Sequence, residues 1–197
     1  MRILVTLTML GFLISCNNKT EYQRVSAGPE GSTYPTGAII EPYSDIPGLA
    51  KVTSKRDDLI VGEGDYLNGK KHGSWTVYNR DGGLQSVTTY NNGVKQGTHL
   101  EFGDRGTLTK KEYYYNGQLD GEAIVYNNMN RIQERITYAG GQMHGPKRTF
   151  YSTGTPQEES NYTNGQIDGI AKYYNQEGEL LFTYEYKNGV LVDQEKE

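Results

Sequence analysis

The sequence has few of the features that most functional classes require. It contains one cysteine and one tryptophan, and it has no block of basic residues. A single cysteine excludes an internal disulfide framework. The missing basic block and the formal net charge of −4 argue against a nucleic-acid site built on phosphate contacts. They also disfavour electrostatic attraction to anionic lipid heads.

Aliphatic side chains are too sparse for an ordinary two-layered core. The chain of 197 residues has 17 tyrosines and 25 glycines instead. A compact core needs enough apolar burial to offset the loss of chain entropy. The composition therefore indicates a thin sheet, whose aromatic side chains cover one face while the other face is wet.

The N-terminal segment has the pattern of an export signal. Arg2 precedes an apolar run from Ile3 to Ile14, which is too short to span a bilayer but fits the apolar region of a signal peptide. The following residues, Leu-Ile-Ser-Cys ending at Cys16, resemble the lipobox of bacterial lipoproteins. This resemblance implies that residues 1–15 are removed and that Cys16 carries fatty acyl chains such as palmitate, which anchor the protein firmly in a membrane.

The same resemblance implies a location in the cell envelope. Asn17 rather than Asp follows the cysteine, and by comparison with enterobacterial lipoprotein sorting this favours the outer membrane over the inner one.

The segment after the cysteine is predicted to be a tether. Residues 16–50 are polar and contain four of the six prolines, which is typical of a flexible linker. Residues 51–65 are predicted to be a degenerate first repeat that caps the array, with Leu59 to Val61 as a strand and residues 51–54 as its hairpin partner.

From Tyr66 onward the chain repeats every 24 residues without insertion or deletion. The repeats open with Tyr-x-Asn-Gly-x-x-x-Gly, except that the fourth has Gly140-Gly141 in place of Asn-Gly and the sixth has Asp193 in place of the last glycine. Asn-Gly between β-prone runs is a strong hairpin signal because a type I′ turn needs positive φ at both central residues. The later glycine, as at Gly73, predicts a bulge. A second turn carries glycine in most repeats and Asn130 in the third. The opening tyrosines are Tyr66, Tyr90, Tyr114, Tyr138, Tyr162 and Tyr186.

These repeats resemble the MORN repeat, in the bacterial variant also described as an antitoxin-component repeat. The resemblance covers residues 66–192, although the period is one residue longer than in the best-known consensus. It implies an all-β fold: an elongated single antiparallel sheet of repeated β-hairpins over residues 66–197, with a binding or scaffold role. Two turns per repeat predict about eleven or more strands. We also expect the Tyr66-type and Tyr78-type aromatic columns to lie on one face.

We find no motif for catalysis, and we expect no metal and no cofactor. His72 and His144 share one repeat position, but Gln96, Asp120 and Asp168 occupy it elsewhere, so it is interpreted as a polar turn position and not as a ligand set. No Gly-x-Ser-x-Gly motif or phosphate loop is present, and the sequence therefore predicts that the protein is not an enzyme.

Aromatic residues outside the repeat phase are the candidate partner-binding residues. Regular packing between repeats does not account for them, and tyrosine and tryptophan are favoured at interfaces. We expect them to be more exposed than Tyr90, Tyr114, Tyr138 and Tyr162, and to lie on one face. The set is Trp75, Tyr113, Tyr115, Tyr151 and Tyr173.

Together these features predict a membrane-anchored envelope lipoprotein that is a non-catalytic repeat scaffold and binds a protein partner, not nucleic acid. The alternative is a module that binds cell-wall or surface glycans through exposed aromatic side chains. Such glycan-binding repeats usually carry Trp-Tyr-Tyr runs, and here only Tyr113 to Tyr115 comes near that pattern.

Overall fold

The computed structural model of the protein describes residues 23–24 and 34–196. The predicted signal peptide, Cys16 and residues 17–22 and 25–33 of the predicted linker therefore lie outside the described residues. Within the described part of the chain, no helix is long and apolar enough to cross a membrane.

All regular elements among the described residues are strands of one antiparallel sheet, which confirms the predicted all-β fold of hairpins. The seventeen strands pair in chain order, and the short pieces β9 and β14 continue into β10 and β15 beyond a break. The strands are β1 (Gln23–Arg24), β2 (Ile39–Pro42), β3 (Leu49–Arg56), β4 (Leu59–Leu67), β5 (Lys70–Tyr78), β6 (Leu84–Asn91), β7 (Val94–Phe102), β8 (Leu108–Tyr115), β9 (Gln118–Leu119), β10 (Gly121–Tyr126), β11 (Ile132–Ala139), β12 (Gln142–Phe150), β13 (Pro156–Thr163), β14 (Gln166–Ile167), β15 (Gly169–Tyr174), β16 (Leu180–Lys187) and β17 (Val190–Lys196).

The Asn-Gly pairs form the predicted two-residue turns. Asn116 and Gly117 have φ of 53° and 83°, so both central residues adopt the left-handed conformation of a type I′ turn. Asn130 has φ of 58°, which confirms that asparagine replaces glycine in the second turn of the third repeat. There the Asn127 side chain accepts hydrogen bonds from the backbone N–H groups of Met129 and Arg131.

Successive turns are also hydrogen-bonded to one another. The N–H of Gly93 donates to the carbonyl of Lys71 at 2.7 Å. The same bond recurs in later hairpins, from Gly117 to Lys95 at 2.9 Å and from Gly141, Gly165 and Gly189 to their partners at 2.8 Å. The turns at one end of the strands therefore form a continuous hydrogen-bonded row along the sheet.

The mid-strand glycines form the predicted bulges. Asp65 pairs with His72 and Gly64 pairs with Trp75, so Gly73, with φ of 68°, and Ser74 have no partner on β4. In the last hairpin Asp193 replaces the glycine. Tyr186 pairs with Leu191 and Glu185 with Asp193, so the bulge in β17 has one unpaired residue, whereas the bulge in β5 has two. Aspartate adopts positive φ less readily than glycine, and this accounts for the shorter bulge.

The expectation that both aromatic columns share a face is wrong. Tyr66 pairs with Lys71 across the two-residue turn. Residues on the two strands of a hairpin that share a face therefore differ in number by an odd number. Tyr78, twelve residues after Tyr66, consequently lies on the other face, where its hydroxyl donates to Glu63 at 2.7 Å. We call the side that carries the six repeat tyrosines the tyrosine face, and the other side the opposite face.

The sheet begins earlier than the sequence predicts. The predicted hairpin of the cap forms from β3 and β4, but β2 and residues 34–38, assigned above to the flexible linker, also belong to the fold. Ala38 and Ile40 are buried with Val52 and Tyr66, and the Tyr34 ring stacks on Tyr66 at 5.2 Å. The polar, proline-rich composition hid these few apolar residues, which close the tyrosine face at this end.

We predict that Gly117→Val destabilises the protein more than Gly82→Ala. Both glycines have positive φ, but valine is β-branched and its Cβ would contact Val94 at 3.4 Å, whereas a Cβ at Gly82 has nothing within 4 Å. Strain of this kind costs about 1–3 kcal/mol. Thermal unfolding of the two variants checks this, and equal melting temperatures would contradict the turn assignment.

Candidate functional site

Trp75 is a core residue, so its expected exposure is wrong. Its side chain is 5 % exposed, lies on the tyrosine face and meets the Tyr66 ring edge-on at 5.4 Å. A Cβ at Gly64 would lie 2.9 Å from Cε3 of Trp75, and one at Gly62 would lie 3.2 Å from Cζ2. The two alternate glycines of β4 provide the space for the indole, and this Gly-x-Gly spacing was the available sequence signal.

Tyr173 also lies on the tyrosine face. Its ring is 5.4 Å from Phe182 and 5.6 Å from Tyr184, and Tyr184 in turn is 6.3 Å from the repeat residue Tyr186. Burial raises the pKa of Tyr173 to about 12, which reflects the partial removal of its hydroxyl from water by the surrounding aromatic rings.

Tyr113 and Tyr115 lie on the opposite face, because they flank Tyr114 in β8 and alternate residues of a strand face opposite ways. Tyr115 is 64 % exposed. Tyr113 is half-buried, and the ammonium of Lys111 lies 5.1 Å from its ring centre. Val94 is 43 % exposed and lies beside the turn that follows Tyr115, since a Cβ at Gly117 would be 3.4 Å from Cγ1 of Val94.

Tyr151 has a structural contact at the far ends of the strands. It directly follows β12, and its hydroxyl donates to the carbonyl of Tyr174 at 2.8 Å. The five candidate residues are therefore divided between two faces and a turn, and the expectation that they share one face is wrong. The two-residue turn changes the parity of the positions that share a face, and this places Trp75 and Tyr173 on the same face as the repeat tyrosines.

The polar column interpreted as a turn position has a definite role. Side-chain oxygens of Gln96, Asp120 and Asp168 accept hydrogen bonds from backbone N–H groups of the next hairpin's turn. The three bonds come from Asn116 at 2.9 Å, from Gly140 at 3.0 Å and from Asn188 at 3.2 Å. In the described part of the chain, no three His, Cys, Asp or Glu residues are grouped so that they could hold a metal ion.

A buried polar network occupies the tyrosine face in the middle of the array. His99, Glu112 and Thr88 are each less than a tenth exposed. Nδ1 of His99 is 2.7 Å from the Thr88 hydroxyl and Nε2 is 3.1 Å from Glu101. Glu112, directly across from His99, binds the Lys110 ammonium at 3.0 Å. Composition alone could not place these groups inside, because their partners come from different strands.

Lysine side chains cover the repeat tyrosines next to this network. Lys71 lies 4.5 Å from the Trp75 ring and 5.1 Å from the Tyr90 ring, and Lys95 lies 4.5 Å from the Tyr114 ring. Desolvation, with a smaller contribution from Lys95, lowers the pKa of Lys71. Long aliphatic stems therefore supply part of the apolar cover that a second layer would otherwise give.

Comparison with known proteins finds similarity in three of the repeats. A family model described as a MORN repeat variant matches residues 71–92, 143–164 and 167–188. Each match runs from the strand after one two-residue turn, which is Gly140-Gly141 for the second match and Asn-Gly for the other two, to the asparagine of the next such turn. No curated protein matches the chain significantly.

We predict opposite effects for two of the candidate aromatics. Trp75→Ala should lower the free energy of unfolding by about 3–5 kcal/mol, because it leaves a cavity against Tyr66 and the two glycines. Tyr115→Ala should change it by less than about 0.5 kcal/mol, as for an exposed side chain. Denaturant unfolding of both variants measures the difference, and a small loss for Trp75→Ala would show that Trp75 is not a core residue.

Proposed function

Because the chain carries MORN repeats of the variant type, we propose that it is a membrane-anchored, non-catalytic scaffold of the cell envelope whose repeats bind a protein partner. The observation that carries the proposal is the aromatic surface on the opposite face, formed by Tyr113 and Tyr115 beside Val94. An exposed tyrosine with an apolar neighbour is typical of an interface anchor. The linked turns hold this surface in a fixed geometry, so that binding costs little ordering entropy.

The proposed anchor is the acylated Cys16. Only six residues separate it from β1, which pairs with β2, and an extended chain spans at most about 3.6 Å per residue. The anchored cysteine would therefore lie within roughly 25 Å of the first strand. In this arrangement the N-terminal end of the sheet is held near the membrane, and the later repeats extend away from the anchor.

We predict that Cys16→Ala removes the anchor. The wild-type chain, expressed in bacteria, should incorporate labelled palmitate and partition into the detergent phase, whereas the variant should be unlabelled and either unprocessed or in the aqueous phase. Mass spectrometry of the purified wild-type chain supplies the direct control. An unacylated wild-type chain would refute the lipoprotein proposal.

We predict that Tyr115→Ala lowers the yield of the cross-linked partner. Intact cells are treated with an amine-reactive cross-linker, and the chain is purified with whatever is attached. Met129→Ala is the matched control, because Met129 is 59 % exposed but lies in a turn away from the proposed surface. The band of the cross-linked partner should weaken for Tyr115→Ala and not for Met129→Ala. Equal melting temperatures of the two variants and the wild type show that all three chains are folded. An unchanged band for a folded Tyr115→Ala variant would exclude this surface.

A further inference from the structure

The two ends of the tyrosine face differ in a way that the repeat does not explain. At the N-terminal end, Tyr34, Ala38 and Ile40 cover Tyr66. At the C-terminal end, four aromatic side chains remain half-exposed, and among the described residues their ring contacts are only with one another. We call this group the terminal aromatic cluster; it consists of Tyr173, Phe182, Tyr184 and Tyr186.

The cluster has free hydrogen-bonding groups as well as apolar rings. The hydroxyls of Tyr173, Tyr184 and Tyr186 have no hydrogen-bond partner in the described part of the chain, and they are not among its buried unpartnered atoms, so they reach solvent. The hydroxyls of Tyr114 and Tyr174, by contrast, donate to carboxylates at 3.0 and 3.1 Å. Half-buried phenols without partners indicate a surface that can bind a ligand with both apolar and polar parts.

Charged groups lie directly beside the cluster on the same face. Glu158 pairs across the sheet with Tyr173, accepts a hydrogen bond from Ser160 at 2.7 Å and lies 3.4 Å from the ammonium of Lys147. That ammonium is also 3.8 Å from Glu134. Two carboxylates and one ammonium leave this row net negative, so it disfavours polyanionic ligands.

We propose that the terminal aromatic cluster and the adjoining Lys147–Glu158 pair form a binding site for a neutral glycan chain. A pyranose ring has an apolar face of C–H groups, which packs on aromatic rings, and a rim of hydroxyls, which bind to carboxylates, ammonium groups and phenols. The cluster supplies the first kind of contact and the row beside it supplies the second. This site goes beyond the proposed protein-binding role, because it lies on the other face from Tyr115.

The test measures binding of defined oligosaccharides by the full chain in detergent micelles. Cellohexaose, laminarihexaose and N-acetylchitohexaose are the neutral probes, and an alginate hexamer is the anionic one; calorimetry or saturation-transfer NMR gives the dissociation constants. At least one neutral hexamer should bind, and the anionic hexamer should bind at least tenfold more weakly.

Two variants remove parts of the site. Tyr184→Leu keeps apolar volume but loses the aromatic ring and the hydroxyl, and it should raise the dissociation constant at least tenfold. Glu158→Gln tests the polar side and should weaken binding by a smaller factor. Tyr115→Ala, on the opposite face, is the control and should bind as the wild type does. Melting temperatures identify any variant that does not fold, and Phe182→Leu then replaces it.

Three outcomes would overturn the proposal: none of the neutral hexamers binds, Tyr184→Leu and Phe182→Leu both bind as tightly as the wild type, or the cluster captures an apolar peptide in place of every sugar. The result is independent of the cross-linking at Tyr115, because the two surfaces lie on different faces. If no glycan binds, the proposal of protein binding at Tyr115 is unaffected. If the cross-linking at Tyr115 fails, the proposal of glycan binding is unaffected.

Discussion

The rest of the structure depends on one interaction, the hydrogen bond from the glycine at the second position of five successive two-residue turns to a carbonyl of the preceding hairpin. It recurs at 2.7–2.9 Å from Gly93 to Gly189, and in each of these turns the donating glycine has positive φ. Side chains at the polar repeat position add a second bond at Asn116, Gly140 and Asn188. This row of hydrogen-bonded turns holds the strands in register, since a sheet without a second layer has little apolar burial to fix the register.

With the register fixed, each repeat builds its part of the tyrosine face from different side chains. Trp75 fills the space left by Gly62 and Gly64 at one end, His99 and Glu112 form a polar network in the middle, and Tyr184 belongs to an aromatic cluster at the other end. Large residues pair with small ones across the strands where the face is buried, as Trp75 does with Gly64. Variation between repeats at a constant backbone therefore gives one scaffold several distinct surfaces.

The proposed contacts follow from this division between constant and variable positions. Tyr115 lies on the opposite face and is exposed, whereas Tyr173, Tyr184 and Tyr186 lie on the tyrosine face with hydroxyls that reach solvent. A protein partner and a glycan chain could therefore be bound at the same time without competing for the same side chains. Anchoring through Cys16 would leave both surfaces accessible along the array.

The sequence by itself determined the period, the all-β fold, the Asn-Gly turns and the bulges at glycines such as Gly73, because these depend on local φ preferences that each residue carries with it. It also determined the strands of the cap, β3 and β4, from short β-prone runs. Only the tertiary structure decided which face of the sheet each aromatic side chain occupies. That face depends on which residues pair across the strands on either side of a turn, and not on spacing along the chain alone. That pairing buried Trp75 behind two glycines, placed Tyr34 over Tyr66, and left Tyr115 and the terminal aromatic cluster facing solvent on opposite sides.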